Sequence, residues 1–413
     1  MQSSSLLRIA LLGADAGTPA IARAILDSSQ FELAGTCEFE SSSEVQATQQ
    51  VVRAVGRVRR FDGWEALLDL ETVDAVVVAR DPDEDRRAEQ LRKLIQAGVP
   101  LLVSHPVVDS MLVYYELDMI RRETGCVVVP CLFARHHPAV QSLAAMVCQG
   151  ADSPLGKIDQ ILVQRCIAEP TKAAVVSQFA RDVDLIRAVA GDMTRLGAMA
   201  GAAADSAYGS LGVQMSGPAG VAARWSVIGI QAADGSKITL LGSKGQATVE
   251  QRPGGQPWTL ELTTRGPSDV QAQGDWDPAA AALAGLAGAI RGEPAEPDWV
   301  DAARSVELAE TIDRSLKKGR TIELYYEDYT ETGTFKGTMA SVGCGLLLLG
   351  LFLVGAVAIV EQMGVPYLRS WPYLLVGVLG VFLASQLLML ASRKQDRRAA
   401  DQPAADRESH SAL

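Results

Sequence analysis

The chain lacks the residue clusters on which several functions depend. Its 413 residues carry 38 Lys and Arg against 49 Asp and Glu, a formal charge of -11. No basic cluster occurs before residue 330, so the surface that a phosphate backbone requires is missing and nucleic acid is not an expected partner. The six cysteines, Cys37, Cys126, Cys131, Cys148, Cys166 and Cys344, show no Cys-x-x-Cys spacing and no nearby histidine pair. No metal site is expected from them; reduced and mostly buried thiols are. Arg8 and Asp15 interrupt the apolar start, and no basic n-region precedes it, so a signal peptide is not read there. Repeats of solenoid length are also absent.

What is present is enough apolar residue, 48% of the chain, for two globular domains with their own cores. Short apolar runs at 7–13, 31–37, 73–79, 100–103 and 126–131, several rich in Val or Ile, suit buried parallel strands. Between them, Ala88, Leu91, Leu94 and Ile95 fall on one helical face. Alternating strand and helix predicts a doubly wound α/β sheet over residues 1–125. After about residue 150 the texture changes to strands at 158–166, 221–232, 236–241 and 246–251, broken by Gly, Ser and Asp turns. An α+β domain over 126–324 with an open, mostly antiparallel sheet follows. Helices at 279–290 and 301–317 complete it, the second closed by Lys317, Lys318 and Gly319.

Beyond residue 324 lies a polar and aromatic linker, 325–341, and then two uncharged runs, 342–360 and 371–391. About 20 apolar residues cross a bilayer, so a two-helix transmembrane hairpin is expected. Trp371 and Tyr373 suit an interface, and Arg393, Lys394, Arg397 and Arg398 follow the second run. The positive-inside rule then predicts a two-pass membrane protein with its soluble domains and tail in the cytoplasm. Residues 393–413 read as a disordered tail whose basic start touches anionic lipid.

A strand, a glycine turn and a helix bind a dinucleotide because backbone N–H groups meet pyrophosphate at the positive helix end. Here the turn is Gly13-Ala14-Asp15-Ala16-Gly17-Thr18-Pro19, with Asp15 and Thr18 where a G-x-G-x-x-G pattern has its later glycines. Two readings stay open: Asp15 repels pyrophosphate, or Gly17 supplies the turn in a shifted register and Asp15 caps the helix. Glu38, 25 positions after Gly13, fits the acidic residue that bonds a ribose 2′-hydroxyl, which favours NAD over NADP. Arg80-Asp81-Pro82-Asp83-Glu84-Asp85 reads as a helix cap rather than a metal site. Gly13, Asp15, Gly17, Thr18, Glu38, Arg80 and His105 are the candidate cofactor contacts.

The stretch Gly98-Val-Pro-Leu-Leu-Val-Ser-His-Pro106 resembles the Glu-Lys-Pro turn of the glucose-fructose oxidoreductase, inositol dehydrogenase and MocA family (Gfo/Idh/MocA). Similarity continues through Asp62-Gly-Trp-Glu-Ala-Leu-Leu68, Phe133-Ala-Arg-His-His-Pro-Ala-Val140, Ala180-Arg-Asp-Val-Asp-Leu-Ile186 and Leu241-Gly-Ser-Lys-Gly-Gln246, covering nearly all of 8–324. The resemblance implies a Rossmann domain, a nicotinamide cofactor, a sugar-like ligand and pairing into homo-oligomers. It places His105 where the family has its catalytic lysine, Ser177 and Arg181 where it has an aspartate and a histidine, and Arg135, His136 and His137 at the substrate cleft.

Hydride transfer from an alcohol needs a base for the hydroxyl proton. With the three reaction residues replaced and the glycine turn altered, the resemblance implies a catalytically degenerate member that serves as a nucleotide- or sugar-binding module or scaffold. The alternative is an active NAD(P)-dependent dehydrogenase of a sugar or cyclitol with His105 as base. In that case His105, His136 and His137 form a rewired proton relay.

Overall fold

The computed structural model describes residues 6–38, 43–53, 58–201, 207–228, 235–251, 257–264, 268–272 and 276–324. Five short strands build the first sheet: β1 (Leu7–Leu12), β2 (Phe31–Cys37), β3 (Ala75–Val78), β4 (Leu101–Val103) and β5 (Val128–Pro130). All pair in parallel in the order β2-β1-β3-β4-β5. A bridge from Thr36 to Arg60 adds a rudimentary sixth position beside β2. Residues on both faces of β1 and β3 are buried, which is why these strands read as continuous rather than alternating apolar runs.

Helices α1 (Thr18–Leu26), α2 (Ser43–Arg53), α3 (Glu84–Gln96) and α4 (Met111–Thr124) alternate with the strands. Helix α3 is capped by Asp83, whose Oδ1 accepts the N–H of Arg86 at 3.0 Å. Gly125 ends α4 in the left-handed conformation, φ 69°.

The second sheet is larger. After α5 (Pro138–Cys148) come β6 (Ile158–Cys166), α6 (Lys172–Ala190), β7 (Arg195–Met199), β8 (Gly212–Ser216) and β9 (Ala222–Ile228). Then follow β10 (Gly235–Gly242), β11 (Gly245–Gln251), β12 (Thr259–Thr263) and β13 (Asp269–Ala272). Last are α7 (Pro278–Ile290), α8 (Trp299–Lys318) and β14 (Ile322–Glu323). The nine strands lie in the order β13-β12-β11-β10-β6-β9-β8-β7-β14, and β6 with β9 is a parallel pair in an otherwise antiparallel sheet.

The expected boundary at 125/126 falls too early. β5 pairs with β4, and both α7 and α8 return to the parallel sheet. Leu283 and Leu286 of α7 cover one face; Trp299, Ala302 and Val306 of α8 join the core on the other. The Trp299 indole stacks on Tyr114 at 4.9 Å and donates to the Tyr114 carbonyl at 3.1 Å. Burying a side chain of this size contributes on the order of 3 kcal/mol, so the segment after the second sheet is part of the first domain's core.

Among the described residues no helix is long and apolar enough to cross a membrane. The linker at 325–341, the runs at 342–360 and 371–391 and the tail at 393–413 lie outside the described residues.

Candidate functional site

The glycine turn after β1 closes on its own carboxylate. Gly13 has φ +72°, and a Cβ there would sit 2.6 Å from the Arg87 guanidinium, so the position requires glycine on both counts. Asp15 then folds back over the start of α1. Its Oδ1 accepts from the N–H groups of Gly17 at 2.9 Å and Thr18 at 3.2 Å, and from the Thr18 hydroxyl at 3.1 Å. Its Oδ2 accepts from the N–H of Arg80, just beyond β3, at 3.1 Å. The donors that would face a pyrophosphate are thus spent on the Asp15 side chain, which caps the helix.

Beneath the turn, Arg87 is fully buried. Its Nη2 pairs with Asp81 at 3.0 Å and its Nη1 donates to Gln90 at 2.8 Å. Burial pulls its pKa down, against the opposing charges of Asp81 and Glu38. Gln90 in turn donates to Glu38 Oε1 at 2.7 Å, while Glu38 Oε2 is buried without a hydrogen-bond partner. Glu38 has φ 54°, a left-handed conformation uncommon for a residue with a Cβ. The acidic run is largely spoken for: Asp81 holds Arg86 and Arg87, Glu84 holds Arg80, and Asp83 caps α3.

His105 follows β4, and its peptide bond to Pro106 is cis. The ring is 3% exposed. Its Nε2 lies 3.3 Å from the Ala180 carbonyl; because a carbonyl accepts, Nε2 carries the hydrogen, leaving the lone pair of Nδ1, which is buried without a partner. Burial, followed by the positive charges of Arg181, Arg187 and Arg80, pushes the His105 pKa down to about 3. The ring is therefore neutral at physiological pH and a weak base.

Helix α6 brings Arg181 beside His105, with the guanidinium Nε donating to the His105 carbonyl at 2.8 Å. The contact is to backbone rather than to the ring. Desolvation lowers the Arg181 pKa, opposed by Asp15 and Asp182, yet the residue is solvent-exposed. Ser177, one turn earlier on α6, is half-buried. Cys131 at the end of β5 also feels Asp15 and Arg181, and burial pushes its thiol up to about 12. Asp15, Arg80, His105, Cys131 and Arg181 thus share one electrostatic neighbourhood.

Arg135, His136 and His137 do other work. Arg135 forms a two-pronged pair with Asp184 and a 2.9 Å pair with Asp301; burial opposes its charge, but these carboxylates raise its pKa. Arg187 reaches Asp301 and Asp192, each at 3.0 Å, tying α6 to α8. His137 caps α5, its Nδ1 accepting the Ala139 N–H at 3.1 Å, and stacks on Trp258 at 4.1 Å. Burial lowers its pKa to about 4. His136 donates to the Glu296 carbonyl at 3.1 Å. The expected three-histidine relay is not assembled: His105 Nε2, His136 Nε2 and His137 Nδ1 each meet backbone, and no hydrogen bond among the described residues joins one of these rings to another.

Sequence reasoning missed Arg87, Asp184, Asp301 and Cys131. Arg87 carried a signal: it precedes Ala88 and lies four residues before Leu91, on the apolar stripe of α3, where an unpaired charge is not tolerated. Among the described residues no group of three or more His, Cys, Asp or Glu is placed to hold a metal ion.

A parallel sheet with a glycine turn after its first strand, followed by a large open sheet, defines a Rossmann-type fold of the dinucleotide-binding class joined to a second, mostly antiparallel sheet. Residues 7–131 match the model of Gfo/Idh/MocA, an oxidoreductase family with an NAD-binding Rossmann fold. Among solved structures, the chain is similar to a myo-inositol dehydrogenase from Corynebacterium glutamicum, at TM-score 0.61 and 18% identity, covering 78% of this chain and 100% of that one. It is similar to an oxidoreductase from Agrobacterium radiobacter in complex with NAD+, L-tartaric acid and magnesium, at TM-score 0.64 and 14% identity over 77% and 98%. A 3-ketoreductase from Actinomadura kijaniata in complex with NADP gives 0.62 and 19% over 76% and 98%. At these identities the likeness is one of fold. No curated protein matches the chain.

The family implies NAD(P), and the residues fit it only in part. Glu38 Oε2 is free to accept from a ribose hydroxyl. The pyrophosphate seat does not fit: its donors already serve Asp15. A phosphate charge about 4 Å from that carboxylate is repelled by about 4 kcal/mol at an effective dielectric of about 20.

Proposed function

We propose that the protein is a membrane-anchored relative of the Gfo/Idh/MocA oxidoreductases that has lost hydride transfer and acts as a nucleotide- or sugar-ligand binding module or scaffold. The observation that carries this reading is the state of His105. A general base works best with a pKa near the operating pH; one pushed down to about 3, with a proton on Nε2 facing Ala180, has little driving force to take a hydroxyl proton. The sites aligned with the family's aspartate and histidine hold Ser177 and Arg181, and the arginine, which carries its charge, is no proton acceptor.

The uncharged runs at 342–360 and 371–391 support the anchor, and the basic residues after the second support soluble domains and tail on the cytoplasmic side. Self-association into homo-oligomers is part of the same proposal. The unpartnered Nδ1 of His105 favours a second reading, an active sugar or cyclitol dehydrogenase in which that lone pair takes the proton.

Full-length protein assayed for NAD(P)H formation with sugars and cyclitols separates the two. The first reading expects no turnover above background; turnover that His105→Ala abolishes overturns it.

A further inference from the structure

We propose that the seat after β1 is a dinucleotide site whose phosphate has been replaced by the protein's own Asp15 carboxylate, so that it selects an uncharged nucleoside over a nucleotide. The inference deepens the binding-module reading above and rests on it. Four donors converge on Asp15: the N–H groups of Gly17, Thr18 and Arg80, and the Thr18 hydroxyl. They come from two separate segments, the start of α1 and the turn after β3, and such a convergence of backbone donors is what binds an anion at this point of a Rossmann sheet. Here the anion is covalently attached, at an effective concentration that a free ligand does not match.

The neighbouring cations do not restore the seat. Arg80 has its charge offset by Glu84 and Asp109, each 2.8 Å from Nη2, while its Nη1 is buried without a hydrogen-bond partner. Arg87 is bound to Asp81 below the turn. Arg181 already has its charge opposed by Asp15.

The ribose side of the site is different. Glu38 is held through Oε1 by Gln90, while Oε2 is buried and lacks a donor. A buried carboxylate oxygen without a partner is costly, and a ribose hydroxyl supplies the missing hydrogen bond. A ligand that brings a ribose diol and no phosphate satisfies Glu38 without displacing Asp15.

The test is calorimetric titration of the full-length chain in detergent with adenosine, AMP and NAD+. Wild type is expected to bind adenosine more tightly than AMP or NAD+, and Glu38→Gln to lose adenosine. Asp15→Gly should reverse the order, gaining on the order of 1,000-fold for NAD+. Asp15→Asn retains an acceptor for the helix cap and should gain about tenfold, so a loss of folding in the glycine variant does not decide the matter. Wild type binding NAD+ as tightly as adenosine, no adenosine binding, or a folded Asp15 variant with no gain for NAD+ each overturns the proposal. Reduction of NAD+ by wild type overturns the underlying reading instead; absent adenosine binding without any turnover leaves that reading standing and removes only this inference.

Discussion

Neutral, buried His105 makes the stability of the protein fall in mild acid. Its folded pKa, about 3, lies below the ordinary 6.5, so the unfolded chain takes up this proton more readily. The contribution is fully present above pH 6.5 and is lost as pH drops from 6.5 toward 3. Between pH 7 and pH 5 that one ring should cost about 2 kcal/mol, from 1.36 kcal/mol per unit below 6.5 with little folded-state protonation. The assay is urea unfolding of the full chain in detergent, followed by fluorescence of the buried Trp225 and Trp299. His105→Gln keeps a donor for the Ala180 carbonyl and removes the titration. His137, also depressed, to about 4, is present in both proteins, so their difference isolates His105. Equal losses in wild type and His105→Gln between pH 7 and pH 5 would refute the reasoning.

Three further outcomes are expected. Arg135→Ala leaves Asp184 buried without its main counter-charge and should lower unfolding free energy by about 3–5 kcal/mol, read by the same denaturation. Trp299→Ala empties the space against Tyr114 and should cost about 3–5 kcal/mol, with loss of the indole hydrogen bond. Cys131, with its thiol near 12, should resist iodoacetamide at pH 8 while exposed Cys148 is labelled, as peptide mass spectrometry can show.

The parallel sheet was legible because burial on both faces forces runs such as Ala75-Val-Val-Val78 that no helix of that length would use. Helix α8 was legible from the period of its apolar stripe and its terminal glycine. β13 was not, since all four of its residues are exposed and no alternation marks it. β7, β8 and β12 were missed as well, being five-residue strands of which two contain glycine. In the site, the two readings of Asp15 differ by the direction of one side chain, which spacing does not encode. The role of Arg135 depends on Asp184 and Asp301, 49 and 166 positions away, and only the folded chain selects those two carboxylates from the many in the sequence.

The return of α7 and α8 to the first sheet sets the order in which the molecule can be completed during synthesis. β5 ends at residue 130, but Trp299, Ala302 and Val306 of the same core emerge only after the whole second sheet. At translation rates of about 5–20 residues per second, the nascent Rossmann layer waits roughly ten to thirty seconds with the seat for Trp299 open. A chain halted after β5 exposes that apolar seat to solvent, so the N-terminal layer is expected to aggregate or recruit chaperones when released alone, although its five strands are all present.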